Sequence, residues 1–358
     1  MWNKTPFTEL LRIKYPIVQG PFGGGLSSIT LASTVSNLGG MGSFGAQPLT
    51  PEQILETSQE IRKLTNKPYA INLWVNDRDS RLLTYSSKEY EELISLFKPY
   101  FDEFGIAPPE MPADLGPKYE DQVLAMLDAK PPVFSFVFGI PSQKILEACR
   151  RNRIKTIGAA TTPDEAIALE DAGVDAVVAT GLEAGGHRVS FLRPAEDSLT
   201  GTFSLVPQVA DNVSIPVIAA GGVSDVRGIK AALALGADAV QIGTAFLATD
   251  QSNATPAHRS QLFSNESRYT TLTKIFSGRL ARGIRSKLTS ALKDKEHLMA
   301  PYPMQSKFLS TLRSKAISSS HDEYITFWSG QSAPLIRFHD ASQLFHHLVA
   351  EMNNSEVR

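Results

Sequence analysis

Eight short apolar runs alternate with helical patterns along this chain, and that alternation restricts the folds open to it more than any other feature. The runs are "PIVQG" (16–20), "GGMGSFG" (39–45), "AINLWV" (70–75), "VFSFVFG" (133–139), "KTIGAA" (155–160), "AVVAT" (176–180), "PVIAAGG" (216–222) and "AVQIGT" (239–244). They carry apolar residues at successive positions rather than at every second one, as strands covered on both faces do. Between them, "TPEQILETSQEIRKLT" and "TPDEAIALEDAG" open with a threonine cap and a proline, and "SDVRGIKAALALGAD" ends on glycine; these are helix start and stop signals. Strand–helix alternation repeated eight times predicts a (β/α)8 TIM barrel. An open doubly wound sheet fits less well, because eight units without a break would make a very wide sheet.

The chain has 358 residues, more than the roughly 250 of a bare barrel. Two stretches exceed the repeat. Residues 76–131 hold two helical patterns and the proline-rich "GIAPPEMPADLGP"; residues 251–319 hold helical patterns and several basic residues. The division expected is a barrel over 1–250 and 320–358, closed by the helix in "DASQLFHHLVAEM", with 251–319 as an added helical subdomain over the barrel mouth. A net charge of −2 gives no reason to expect nucleic acid or an anionic membrane as partner. No apolar run approaches the roughly 20 residues of a membrane span. The single cysteine, Cys149, allows no internal disulfide, and the first residues lack a signal-peptide pattern. A cytoplasmic protein is expected. The seven histidines show no metal-ligand spacing, so no metal is expected.

Functional sites in such barrels form at the carboxyl ends of the strands. Here those ends are rich in glycine: "QGPFGGG", "GLEAGGH", "AAGGVSD" and "QIGTAF". Glycine there serves tight turns or close approach of a ligand to the backbone. The last two loops stand where barrels of this kind usually bind phosphate, which makes Gly221, Gly222, Gly243 and Thr244 candidate phosphate contacts. "GMGSFG" (40–45) matches G-x-G-x-x-G, but no acidic strand end follows about 20 residues on, so it is not read as a dinucleotide site. In "ATGLEAGGHRVSF" (179–191), the glycines deliver His187 to the barrel mouth. An imidazole there suits general-base work. Glu183 and Arg188 read equally well as structural.

Taken together, these motifs resemble the nitronate monooxygenases, FMN-dependent (β/α)8 enzymes. The likeness runs from "YPIVQGPFGGG" through "INLWV", "GLEAGGHR", "IPVIAAGGVSD" and "GADAVQIGTAFLAT" to "FSGRLARG", "PYPMQSK" and "FWSGQSA". It implies FMN in the barrel mouth, with contacts from Gly20, Pro21, Phe22, Gly23, Asn72, Thr180, Gly185, Gly186, Gly221, Gly222, Gln241, Ile242, Gly243 and Thr244. It implies His187 as the catalytic base, taking the α-proton of a nitroalkane or positioning a nitronate. Tyr302 and Lys307 would bind the negative end of the substrate, such as propionate 3-nitronate. The products would be a carbonyl compound and nitrite, with oxygen as co-substrate. Two departures from the family pattern bear on substrate range: Thr180 stands where glutamine is usual, and Phe22 where methionine is frequent. The alternative activity on the same scaffold is an FMN-dependent NAD(P)H reductase of enoyl-thioesters or quinones. The sequence leaves monomer and homodimer open.

Overall fold

The computed structural model describes residues 1–355, and in it each of the eight apolar runs contains a strand. The barrel strands are β1 (Ile17–Gln19), β2 (Gly42–Gly45), β3 (Tyr69–Trp74), β4 (Val133–Val137), β5 (Lys155–Ala160), β6 (Ala176–Thr180), β8 (Val217–Ala220) and β9 (Ala239–Ile242). A two-residue strand outside the barrel, β7 (Gly186–His187), follows β6 in the chain. The barrel strands are all parallel, in the order β1-β9-β8-β6-β5-β4-β3-β2. A parallel bridge between Val18 and Met41 joins the two ends of that order. The Gln19 N–H donates to the Met41 carbonyl at 2.9 Å, and the Met41 N–H to the Ile17 carbonyl at 3.0 Å. The sheet is thereby a TIM barrel, with no free edge between β1 and β2.

The strands are apolar on both faces because each face has its own core. Val18, Met41, Ala70, Val133, Ile157 and Ile218 fill the barrel interior. Phe7 and Leu11 join them from the helix Pro6–Leu11, which is not apparent from the strand–helix repeat. Ile17, Phe44, Ile71, Phe134 and Val177 point the other way, into the layer between sheet and helices. Thr50 and Thr162 cap the helices Pro51–Leu64 and Pro163–Asp171, as their sequences foretell. The final helix, Ala341–Ser355, packs against Ile29–Asn37 and Val226–Ala234.

The apparent dinucleotide fingerprint has a packing explanation. Gly42 and Gly45 lie inside β2, not in a strand-to-helix turn. A Cβ on Gly42 would sit 1.9 Å from the Ala32 carbonyl oxygen, and one on Gly45 2.3 Å from the Phe22 carbonyl oxygen. These glycines let a helix and a loop close onto the strand.

Residues 251–319 contain the helices Pro256–Phe263, Lys287–Ala291, Met304–Phe308 and Ser310–Ser318. They also contain an antiparallel pair that a wholly helical reading omits: β10 (Thr270–Thr273) and β11 (Ala281–Ile284). Each run is only four residues long, too short to show a strand period. β11 pairs on its other side with β7, so the added segment is stitched directly to the barrel loop that carries His187. Among the described residues, no helix is long and apolar enough to cross a membrane.

Gly42→Ala tests the packing account. The added methyl meets backbone rather than a movable side chain, so the helix or the strand must shift. We predict a loss of about 2–3 kcal/mol of stability in urea denaturation; an unchanged midpoint would refute close packing as the reason for this glycine.

Candidate functional site

A cavity of about 360 Å³ opens at the carboxyl ends of the strands. The structure brings nearly all the expected residues to it. Gly20, Pro21, Phe22 and Gly23 line it from the loop after β1, Asn72 from β3, and Thr180 from the end of β6. Gly185, Gly186 and His187 come from the next loop, Gly221 and Gly222 from the loop after β8, and Gln241, Gly243 and Thr244 from the end of β9. Tyr302 reaches the same cavity from the added segment. Two residues fall elsewhere. Ile242 is fully buried in the outer core, because alternate residues of a strand face opposite ways: Gln241 and Gly243 face the cavity and Ile242 turns its back. Lys307 is exposed, with its Nζ against Gly116, while its neighbour Ser306 faces the cavity. One helical position, about 100° of rotation, separates the two.

The glycines of the His187 loop have separate reasons. A Cβ on Gly181 would fall 2.0 Å from Thr202 Oγ1, and one on Gly185 2.5 Å from the Gly330 nitrogen. Gly186 alone adopts positive φ, at 77°. The loop is then fixed from beneath. Arg188 is buried, donating from Nη1 to the Thr180 and Gly181 carbonyls at 2.9 and 2.8 Å and from Nη2 to the Ser198 carbonyl at 2.6 Å. The Glu183 carboxylate accepts from the Thr202 N–H and hydroxyl at 2.9 Å. The fully buried Glu165 accepts from the Phe191 and Leu192 N–H groups. Glu183 and Arg188 are therefore anchors of the loop.

His187 itself sits in β7, its backbone paired with Ala281 of β11. Its Nε2 lies 2.9 Å from Ser277 Oγ. That hydroxyl donates to the Arg279 carbonyl at 3.1 Å and accepts from the Arg279 N–H at 3.3 Å. With its one proton so used, Ser277 accepts from His187 Nε2–H, which leaves the lone pair on Nδ1. Trp74 and Trp328 flank the imidazole, at centroid distances of 4.9 and 5.3 Å. Behind this wall, the Arg279 guanidinium stacks 4.3 Å from the Phe138 ring and 4.6 Å from Tyr302. It is held by Asp79 Oδ1 at 2.8 Å and the Asn76 carbonyl at 2.7 Å.

Burial, and secondarily the charge of Arg279, pushes the His187 imidazolium down to about 3. His187 is thus neutral across the physiological range. Burial also raises the Tyr302 phenol well above its ordinary value, so it stays protonated; Gln47 Nε2 donates to its oxygen at 2.6 Å. A neutral imidazole, a neutral phenol and a nearby fixed cation favour an anion in this end of the cavity.

The other end offers a cradle. Among the described residues, the backbone N–H groups of Gly222, Gly243 and Thr244 find no protein acceptor, and nothing lies within 4 Å of the point a Cβ on Gly243 would occupy. Thr244 Oγ1 accepts from the Gly330 N–H at 2.9 Å, and Ser332 Oγ meets Ser224 Oγ at 2.7 Å, so the loop 329–332 closes over these turns. Donors around open space suit an anionic group such as a phosphate. Sequence reasoning assigned no role to Trp74, Ser277, Arg279, Trp328, Gly330 or Ser332. All lie in motifs quoted for the family resemblance, Trp74 in "INLWV" and the others in the late ones, which was the available signal.

The family model described as nitronate monooxygenase matches residues 4–351. A probable nitronate monooxygenase of Staphylococcus aureus (strain Newman) is 39% identical over 354 residues, covering 99% of this chain and 98% of that protein. Among solved structures, nitroalkane oxidase from Streptomyces ansochromogenes superposes with a TM-score of 0.89 at 33% identity, covering 99% of both chains. FabK from Thermotoga maritima superposes with a TM-score of 0.77 at 29% identity, covering 99% of this chain and 97% of that one.

The depressed basicity of His187 has a consequence for stability. Burial also lowers the buried His258, to about 4. Between these values and the ordinary 6.5 of the unfolded chain, the unfolded state binds more protons. Stability therefore rises with pH in that window and is lost as pH falls below about 6.5, by up to about 1.4 kcal/mol per pH unit for each group. Urea denaturation from pH 7.5 to 4.5 should show a shallower acid loss in His187→Asn than in the native protein. Parallel curves would mean that His187 titrates normally in the folded state.

Proposed function

Because the chain belongs to the nitronate monooxygenase family, we propose that it oxidises alkyl nitronates, propionate 3-nitronate among them, to a carbonyl compound and nitrite with oxygen as co-substrate. We further propose FMN as its cofactor. The observation that carries the substrate reading is the pairing of a neutral His187 with the fixed charge of Arg279. A nitronate arrives already deprotonated and needs no strong base, and Arg279, though paired with Asp79, still acts on His187 as a positive charge. A neutral nitroalkane must first lose an α-proton, and an imidazole whose conjugate acid lies near 3 is a weak acceptor for it.

The residues present fit FMN. The N–H groups of Gly222, Gly243 and Thr244 would hold its phosphate, and the space beside Gly243 admits it. The loop from Gly20 to Gly23 together with Asn72, Thr180, Gly185, Gly186, Gly221 and Gln241 would line the remainder of the cofactor. When bound, the flavin supplies electron acceptance and oxygen chemistry that no side chain of the protein provides. The chain's own part is positional. His187 presents Nδ1 to the α-carbon side of the substrate, its orientation set by Ser277 and by β7. Tyr302 offers a protonated hydroxyl to the nitronate oxygens. Trp74 and Trp328 keep water from the reacting end. Asp79 holds Tyr302 in place, accepting from its backbone N–H at 2.9 Å while binding Arg279.

Oxygen uptake and nitrite release test this reading. Nitronates should be turned over, and the parent nitroalkanes more slowly at the same pH. His187→Asn should lower nitroalkane turnover by about tenfold to a hundredfold, at or below the low end of the roughly 10²–10⁴ that a base poised near neutrality contributes, while keeping a larger share of nitronate turnover. Equal factors for both substrates would assign His187 a positioning role only. The absence of nitrite from any nitronate would overturn the reading.

The cofactor proposal has its own check. Acid release from the purified protein should give FMN on chromatography, and Gly243→Val, which places two methyl groups in the cradle, should retain less than about a tenth of the native flavin. Full retention by the folded variant would place the phosphate elsewhere.

A further inference from the structure

Tyr302 is fixed in its backbone and its ring, but the proton of its hydroxyl has no partner. The Tyr302 N–H donates to Asp79 Oδ2 at 2.9 Å, and the Tyr302 carbonyl accepts from the Asp79 N–H at 3.1 Å. The ring packs 5.1 Å from that of Trp74, and the Arg279 guanidinium lies 4.6 Å from its centre. Among the described residues, the phenol oxygen has one hydrogen-bond partner, Gln47 Nε2 at 2.6 Å. An amide nitrogen only donates, so this bond uses a lone pair of the phenol and leaves the phenol proton without an acceptor. Buried donors ordinarily have one, and Tyr302 is buried. Gln47 and Tyr302 both line the cavity, so the missing acceptor is supplied by what the cavity holds.

Gln47 is itself held in place from a distance. It lies in the loop after β2, where the Ala46 N–H donates to the Asn72 carbonyl at 2.9 Å and the Leu49 N–H to the Ala46 carbonyl at 3.0 Å. Gln122, fully buried on the helix Tyr119–Ala129, donates from Nε2 to the carbonyls of Gln47 and Leu49, each at 2.7 Å. Both amide protons of one buried side chain thus serve this loop. Gln122 and Asp79 belong to the same stretch, residues 76–131, that exceeds the barrel repeat. That stretch therefore grips both partners of the Gln47–Tyr302 bond.

We infer that Gln47 is a positioning residue that fixes the direction of the Tyr302 hydroxyl, so that the site meets its substrate with a donor and selects ligands by an acceptor oxygen. With an amide donor at position 47, the phenol cannot turn its proton back into the protein. A donor already aimed needs no reorganisation when an anion arrives. A carboxylate at the same position would take the proton itself and leave the phenol to present a lone pair. The inference rests on the nitronate reading for the identity of the substrate, and on the hydrogen bonds alone for the role of Gln47.

The test titrates the flavin-loaded protein with nitrate, a planar oxyanion that cannot be oxidised. Binding is read by tryptophan fluorescence, since Trp74 and Trp328 line the cavity. Steady-state kinetics with ethyl nitronate run in parallel. Tyr302→Phe should weaken nitrate binding by about tenfold or more, the usual loss when one hydrogen bond to an anion is removed. Gln47→Leu should weaken it by about threefold or more, and should raise the nitronate KM more than it lowers kcat. Added to Tyr302→Phe, Gln47→Leu should change nothing further, because the hydroxyl through which it acts is gone. Gln47→Glu keeps the size of the side chain and gives a second arm: it should weaken nitrate more than Gln47→Leu does, and by a smaller factor in the Tyr302→Phe background. Unchanged nitrate affinity in Tyr302→Phe would mean that the amide is turned to accept the phenol proton, and would overturn the proposal. So would equal factors for the Gln47 variants in both backgrounds. If nitrate binding shows the coupling but no nitronate yields nitrite, the functional reading fails and the role of Gln47 stands. If nitronates are oxidised and the coupling is absent, the role of Gln47 fails and the functional reading stands.

Discussion

Two residues of backbone pairing hold the proposed chemistry together. Gly186 and His187 pair with Arg282 and Ala281, and the Arg188 N–H extends the ladder to the Leu280 carbonyl. This short ladder is the place where the barrel and the added segment become one site. The barrel contributes the glycine loops that can cradle a cofactor. The added segment contributes Ser277, which orients the imidazole, and Arg279, which charges its surroundings. Without the ladder His187 would be a mobile loop side chain. With it, and with Arg188 bonded to the carbonyls at the end of β6, the imidazole is held from both sides. Such shared support is what a precise site requires.

The electrostatics of the site point one way. Desolvation removes the charge from His187 and keeps the proton on Tyr302, while Arg279 stays paired with Asp79 beside them. A base poised near neutrality would suit abstraction of a proton from a neutral substrate. A neutral donor–acceptor pair beside the Arg279–Asp79 ion pair suits a substrate that needs no proton removed. The protein shares its scaffold with FabK from Thermotoga maritima as well as with a nitroalkane oxidase. The fold therefore does not choose between activities, and the choice falls to the site.

The barrel was legible in the sequence because its strands are buried on both faces and so read as unbroken apolar runs. The glycine-rich ends were legible because glycine clusters rarely without a conformational or steric reason, and Gly185, Gly221 and Gly243 all reach the cavity. The ladder that positions His187 was not. A strand of two residues has no period, and β11 contains the polar Arg282 and a glycine. Arg279 and Trp74 were hidden for a different reason: their partners, Asp79, Phe138 and Tyr302, are scattered over more than 200 residues of chain. Lys307 shows the limit of matching a motif residue by residue. A motif marks the helix that serves the site, but the rotation of that helix decides which side chain enters it, and here Ser306 and Arg313 enter instead.

The central claim is that an anionic nitronate, and not a nicotinamide, delivers electrons to this site. Anaerobic mixing of the flavin-loaded protein with an alkyl nitronate, and separately with NADH, tests it in a single visible spectrum. The nitronate should bleach the flavin within the time of turnover, and NADH should leave it oxidised. Rapid bleaching by NADH, with no response to the nitronate, would contradict it.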